Sequence, residues 1–203
     1  MLLEKGIFRI FGNIFTTIIY YSSMAKFFDS LTPELIEFIQ HQKIYFTGTA
    51  AAEGRVNVSP KGMDSFRVIS PTQVAWLNLT GSGNETAAHL KQINRITIMF
   101  CAFEGKPLIL RLYGKAQTIH EKDENWTDYY SLFPENEGAR NIYVVDLESV
   151  QTSCGFAVPY MDFKEERPIL KDWADKKGKE GIREYWKEKN QVSIDGLPTG
   201  IFD

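Results

Sequence analysis

The sequence predicts a mainly β protein, an antiparallel β-barrel with peripheral helices. Three observations carry that expectation. Runs rich in β-branched and aromatic residues recur at hairpin spacing, Gly- or Pro-bearing turns separate them, and the few helical stretches do not alternate with strands as parallel βαβ units would. With 203 residues the chain can bury a full core, and no internal repeat or Pro/Gly/Ser-rich linker divides it.

The first 23 residues are set apart from that body. Ile7 to Tyr21 is mostly apolar but is interrupted by Arg9, Gly12 and Asn13, and it is shorter than the roughly 20 residues a membrane-spanning helix needs. No stable membrane span is expected. Two readings stay open: a secretory leader with small residues at Ser23-Met24-Ala25, or a translation start at Met24, where "MAKFFDSLTPEL" reads as a natural beginning. The second is preferred, and residues 1–23 are treated as an N-terminal extension of a domain spanning 24–203.

Thr32 followed by Pro33 reads as an N-cap with proline at the first helical position, and Leu35, Ile36, Phe38 and Ile39 give the following helix one apolar face. "KIYFTGTAAAEGRVNVSP" reads as two strands joined at Glu53-Gly54, and "FRVI" with "QVAWLNL" as a pair around Pro71. "RITIMFCAFEGKPLILRLYGKAQTI" is a long hairpin turning at Glu104-Gly105, and "NIYVVDLESVQTSC" a last strand. A short helix follows Asn84, "EKDENWTDYYSLF" is helical in character, and so is the tail from Lys164, with Gly178 and Gly181 dividing it into two pieces.

Composition excludes several function classes. The net charge of −3 is slight and Lys and Arg are dispersed, so no nucleic-acid partner is expected. Cys101 and Cys154 lie far apart and suggest neither a disulfide framework nor a zinc cluster, which suits a reducing, cytoplasmic setting. His41, His89 and His120 are scattered, giving no basis for a metal site. Cys154 reads as a small buried hydrophobe, His89 as a packing or surface residue, and Trp76 as core.

The most informative stretch is "LTGSGNETAAHL", residues 79–90, a strand that passes through Gly81-Ser82-Gly83-Asn84 into a helix. Such a junction exposes backbone N–H groups where a phosphate binds readily, although an ordinary N-capped turn uses the same residues. Thr86 stands where a dinucleotide fingerprint needs its third glycine, and no P-loop, nucleophile elbow or Cys-x-x-Cys is present. A monophosphate site survives this elimination. Ser82, Asn84 and Thr86 offer side-chain groups, and Lys61, Arg67 and Arg111 are candidate cations. Lys61, between Pro60 and Gly62, reads as held in a constrained turn by an anionic partner; Arg111 reads equally well as a strand residue paired with a surface carboxylate.

"RVNVSPKGMDSFRVI", "VAWLNLTGSGNETAAHL" and "RITIMFCAFEGKPLILRLYGKAQ", in that order, resemble the pyridoxamine 5'-phosphate oxidase-related family of FMN-binding split barrels. "SCGFAVPYM" and "SIDGLP" are similar to one branch of it. The resemblance covers roughly Met24 to Pro198. It implies a six-stranded split barrel that forms a homodimer, with FMN in a groove between subunits. Ser59, Pro60, Lys61, Gly62 and Arg67 would then flank the flavin, and Ser82, Gly83, Asn84 and Thr86 would take its phosphate, with Lys61 and Arg111 as cations. The vitamin B6 oxidases proper carry Arg-Lys in the segment matching Glu85-Thr86 and end in an arginine-bearing substrate motif. This chain has neither, so vitamin B6 oxidation is not expected, and Glu85 is expected to face solvent or to favour the helix N-terminus electrostatically. Two functions follow: an FMN-dependent oxidoreductase acting between a small donor and an acceptor, with the catalytic residues unassigned, or a flavin-binding carrier or sensor without turnover. A deazaflavin or haem in place of FMN stays open.

Overall fold

The computed structural model describes residues 25–203, so the expectations for residues 1–23 lie outside the described residues. The body is one antiparallel sheet of eight strands with four helices around it. In chain order these are β1 (Ala25–Phe28), α1 (Pro33–His41), β2 (Tyr45–Thr49), β3 (Asn57–Lys61), β4 (Phe66–Ser70), β5 (Gln73–Leu79) and α2 (Glu85–Gln92). Then come β6 (Ile96–Cys101), β7 (Ile109–Ile119), α3 (Trp126–Tyr130), β8 (Ala139–Ser153) and α4 (Ile169–Lys189).

The strand path β3-β2-β6-β7-β8-β5-β4 curls on itself, and β1 adds to β8 beside it. β3 and β4 end the path without pairing to each other. Side chains close the seam instead: the Tyr45 hydroxyl lies 2.9 Å from Ser65 Oγ, and the Tyr45, Phe66 and Phe100 rings meet with centroids 5.0–5.5 Å apart. This is the split barrel the sequence predicts, with more than six strands. The strand absent from the sequence reading is β1, whose first three residues are exposed. It is held by backbone pairing to Val150–Ser153 rather than by a buried face, so no apolar periodicity announces it.

β7 and β8 are long enough to serve both halves of the barrel, and they shift register between Tyr113 and Gly114. There the backbones approach so closely that a Cβ on Gly114 would lie 2.2 Å from the Asp146 carbonyl oxygen. α1 begins where Thr32-Pro33 predicts, with Thr32 Oγ1 accepting from the Leu35 N–H at 3.4 Å, and seats Leu35 and Ile39 in the main core with Trp76, Ile98, Leu110 and Val150. α4 breaks at Gly178, which adopts φ 62°, whereas Gly181 stays helical. Its Ala174, Ile182 and Trp186 form a small core of their own.

Candidate functional site

The junction of β5 and α2 turns through Gly81, Ser82, Gly83 and Asn84. Thr80, buried at its start, donates its hydroxyl to the Gly138 carbonyl and accepts from Trp186 Nε1, each at 2.8 Å, tying the turn to β8 and α4. Asn84 occupies the N-cap position, but its side chain makes no capping bond; its Nδ2 donates to the Asn190 carbonyl at 3.4 Å. The N-capped turn expected from sequence is therefore not formed by that side chain. The first-turn N–H groups of Glu85, Thr86 and Ala87 consequently find no acceptor among the described residues.

Facing this turn is a cavity of about 770 Å³, walled by the turn, by β3 and by the chain end after α4. Of the residues predicted for the site, Ser59, Pro60, Lys61, Ser82, Gly83, Asn84 and Thr86 all line it. Gly62 and Arg67 line a separate cavity of about 320 Å³. Arg67 is engaged there: its guanidinium grips the Asp64 carboxylate at 2.7 and 2.9 Å and donates to the Leu132 carbonyl. Arg111 reaches neither cavity and donates to Ser153 Oγ at 3.2 Å, with no carboxylate partner among the described residues.

Lys61 closes β3 as a strand residue rather than sitting in a turn. Its ammonium lies 4.9 Å from the Trp76 ring centroid. Burial, reinforced by the charge of Arg140, pushes it down to about 8. Arg140, at the start of β8 and 5% exposed, is the cation that sequence reading missed. It donates to the Gly83 carbonyl at 3.0 Å and to Asn190 Oδ1 at 2.8 Å, while its Nε has no partner among the described residues and burial lowers its pKa to about 10. Neither cation meets a carboxylate among the described residues. A half-buried and a buried positive charge, neither with a counter-ion among the described residues, beside a helix start with free N–H groups, make an anion-binding corner.

The remaining polar wall is instructive. His89 is buried, with Nδ1 3.1 Å from Thr49 Oγ1 and Nε2 unpartnered among the described residues, so it is a cavity-wall residue rather than a surface one. Glu85 does not point freely to solvent: both carboxylate oxygens accept the Ile194 N–H, at 3.0 and 3.2 Å. Trp76 is core, 1% exposed and packed on Tyr143, whereas Cys154 lies just beyond β8 and is only half-buried.

Residues 31–154 match the family model described as pyridoxamine 5'-phosphate oxidase. The chain is also 36% identical over 193 residues to the pyridoxamine 5'-phosphate oxidase family protein ustO of Aspergillus flavus, covering 86% of this chain and 78% of that one. The chain belongs to the pyridoxamine 5'-phosphate oxidase family. Among solved structures it is similar to HupZ of group A Streptococcus, at 20% identity and a TM-score of 0.47 over 59% of this chain and 91% of that one. It is also similar to an FMN-binding protein of Syntrophomonas wolfei, at 15% identity and a TM-score of 0.43 over 58% and 84%. The family match contains the glycine turn, Lys61 and Arg140, but not the chain end that completes the cavity. No helix among the described residues is long and apolar enough to cross a membrane.

Proposed function

We propose that the cavity binds flavin mononucleotide and that the protein is an FMN-dependent oxidoreductase passing hydride or electrons between a small donor and an acceptor. The observation that carries this reading is the pair of half-buried Lys61 and buried Arg140, two cations without carboxylate partners among the described residues beside the open N–H groups of α2. Those groups fit a phosphate of charge about −1.5 to −2, and Thr86, Asn84 and Ser82 border the same corner. Asn84 Oδ1, buried and unpartnered among the described residues, is left to accept from a ligand donor. The bound flavin supplies the redox chemistry, and the chain's part is to hold and orient it.

A second copy of the chain is proposed to complete the site. The exposed apolar side chains Val56 and Val58 on and beside β3, and Phe156, Tyr160 and Met161 after β8, support that assembly. Because flavin held between subunits stabilises the dimer by mass action, FMN should raise the thermal midpoint. Ser59 and Pro60 are assigned to the flavin from β3, and Lys61, Ser82, Gly83, Asn84, Thr86 and Arg140 to its phosphate.

One observation favours the carrier reading as the alternative. The one carboxylate lining the cavity among the described residues, Glu85, is committed to the Ile194 N–H. Titration of FMN and riboflavin by fluorescence quenching tests the binding reading, which expects FMN to bind at least tenfold more tightly. Equal affinities overturn the phosphate assignment. Steady-state oxidation of reduced nicotinamide by the FMN-loaded protein then separates turnover from carriage.

A further inference from the structure

His89 is a polar group of the cavity wall that the phosphate corner leaves unused. It sits on the buried face of α2, 1% exposed, with Nδ1 3.1 Å from Thr49 Oγ1 on β2 and Nε2 without a partner among the described residues. A buried ring nitrogen in that state is uncommon, because folding normally pairs the polar atoms it takes from water. The side chains around it are paired. Thr49 faces Asn57 across the β2–β3 ladder, Asn57 Nδ2 donates to Thr86 Oγ1 at 3.4 Å, and Asn57 Oδ1 accepts from Ser59 Oγ at 3.1 Å. Asn57, Ser59, Thr86 and His89 all line the cavity, so they form one polar wall along β3 and α2. Carboxylates that could claim the ring are already engaged, Glu85, one turn earlier on the helix, by the Ile194 N–H and Asp195 by Arg55.

We infer that His89 holds the hydroxylated chain of the ligand, donating from Nε2 to a hydroxyl oxygen, and that Thr49 is the positioning residue that keeps the ring proton on Nε2. The inference rests on the proposed flavin reading and extends it to the uncharged link between ring and phosphate. Two observations place the contact on that link. His89 lies three residues beyond Thr86, about 4.5 Å further along the helix axis from the open N–H groups to which the phosphate is assigned. It also shares a wall with Ser59, assigned to the flavin, and so falls between the two ends of the ligand. The part of Thr49 follows from hydroxyl chemistry. Its O–H donates to Nδ1, which is then the bare nitrogen of the ring, and the proton is left on Nε2.

The test titrates FMN, riboflavin and lumiflavin, which lacks the hydroxylated chain, into the full chain and its H89L, H89Q and T49V variants. In H89L, FMN and riboflavin should weaken together, by roughly fivefold or more for one lost hydrogen bond, while lumiflavin, read as a competitor of riboflavin, is unchanged. H89Q, whose amide reaches about as far as Nε2, should recover most of the loss. In T49V, nitrogen NMR of the His89 ring should show the proton redistributed toward Nδ1, with FMN and riboflavin both weakened by about twofold or more. Should H89L fail to fold, the T49V tautomer and affinities decide alone. A loss confined to FMN places His89 at the phosphate, and a loss shared by lumiflavin places it at the ring. Either result, or unchanged affinities in folded H89L or T49V, overturns the inference and leaves the FMN reading standing. A wild-type chain that binds no flavin overturns both.

Discussion

Replacing Arg140 by methionine separates a structural cation from a ligand-binding one. The substitution keeps an unbranched side chain of similar length and removes the charge and the bonds to Gly83 and Asn190, at 3.0 and 2.8 Å. In the ligand-free protein, two hydrogen bonds worth about 1 kcal/mol each net are lost. The several kcal/mol of keeping a desolvated guanidinium without a carboxylate disappear with them. The two effects oppose, so the ligand-free variant should melt within a few degrees of wild type. The bound state has no such compensation. A charge-assisted contact to phosphate is worth about 1.5–3 kcal/mol, so FMN should weaken roughly 10- to 150-fold while riboflavin changes little. Fluorescence-quenching titrations with both ligands, beside thermal melts with and without FMN, read all three quantities. A folded R140M protein that keeps wild-type FMN affinity would refute the reasoning.

Four other outcomes follow from particular residues. Lys61, held down to about 8, is costly in the ligand-free fold wherever it is charged there. That penalty is full below pH 8 and is relieved as pH rises from about 8 toward the ordinary lysine value, so ligand-free stability contributed by this group should increase across that window, and K61M should flatten the rise in a pH series of denaturant melts. FMN affinity has the opposite trend, falling above pH 8 as the ammonium deprotonates, and losing that dependence in K61M. Thr86→Ala removes a nearly buried hydroxyl whose partner, Asn57 Nδ2, is 3.4 Å away; FMN should weaken by about tenfold or more and riboflavin should be indifferent. Gly114→Ala drives a Cβ to 2.2 Å from the Asp146 carbonyl and should cost more than about 3 kcal/mol, visible as lost soluble expression or a collapsed melting point. Finally, residues 24–203 are proposed as a self-sufficient domain, so a chain starting at Met24 should match the full chain in melting temperature and FMN binding.

The barrel was legible because its signals are local. Hairpin glycines, the alternation in β2 and β6, and Thr32-Pro33 each act within a few residues of where they appear. β1 was not, since its stability comes from a backbone partner more than 100 residues away. The site divides in the same way. Lys61 and the glycine turn show in sequence because proline and glycine flank them. Arg140 looks like any arginine opening a strand, and its burial depends on Asn190, 50 residues later. Asn84 has the identity of an N-cap, yet the chain end competes successfully for its side chain, a contact 106 residues long in sequence. Arg67 failed to join the cavity for a local reason: Asp64, three residues before it, captures the guanidinium.

The most direct measurement is the visible spectrum of the full chain purified without added cofactor, followed by mass identification of whatever denaturation releases. The account predicts flavin absorbance and release of FMN, or, from a colourless preparation, stoichiometric uptake of added FMN in preference to riboflavin. Release of haem or a deazaflavin, or a folded protein that takes up no FMN, would contradict it.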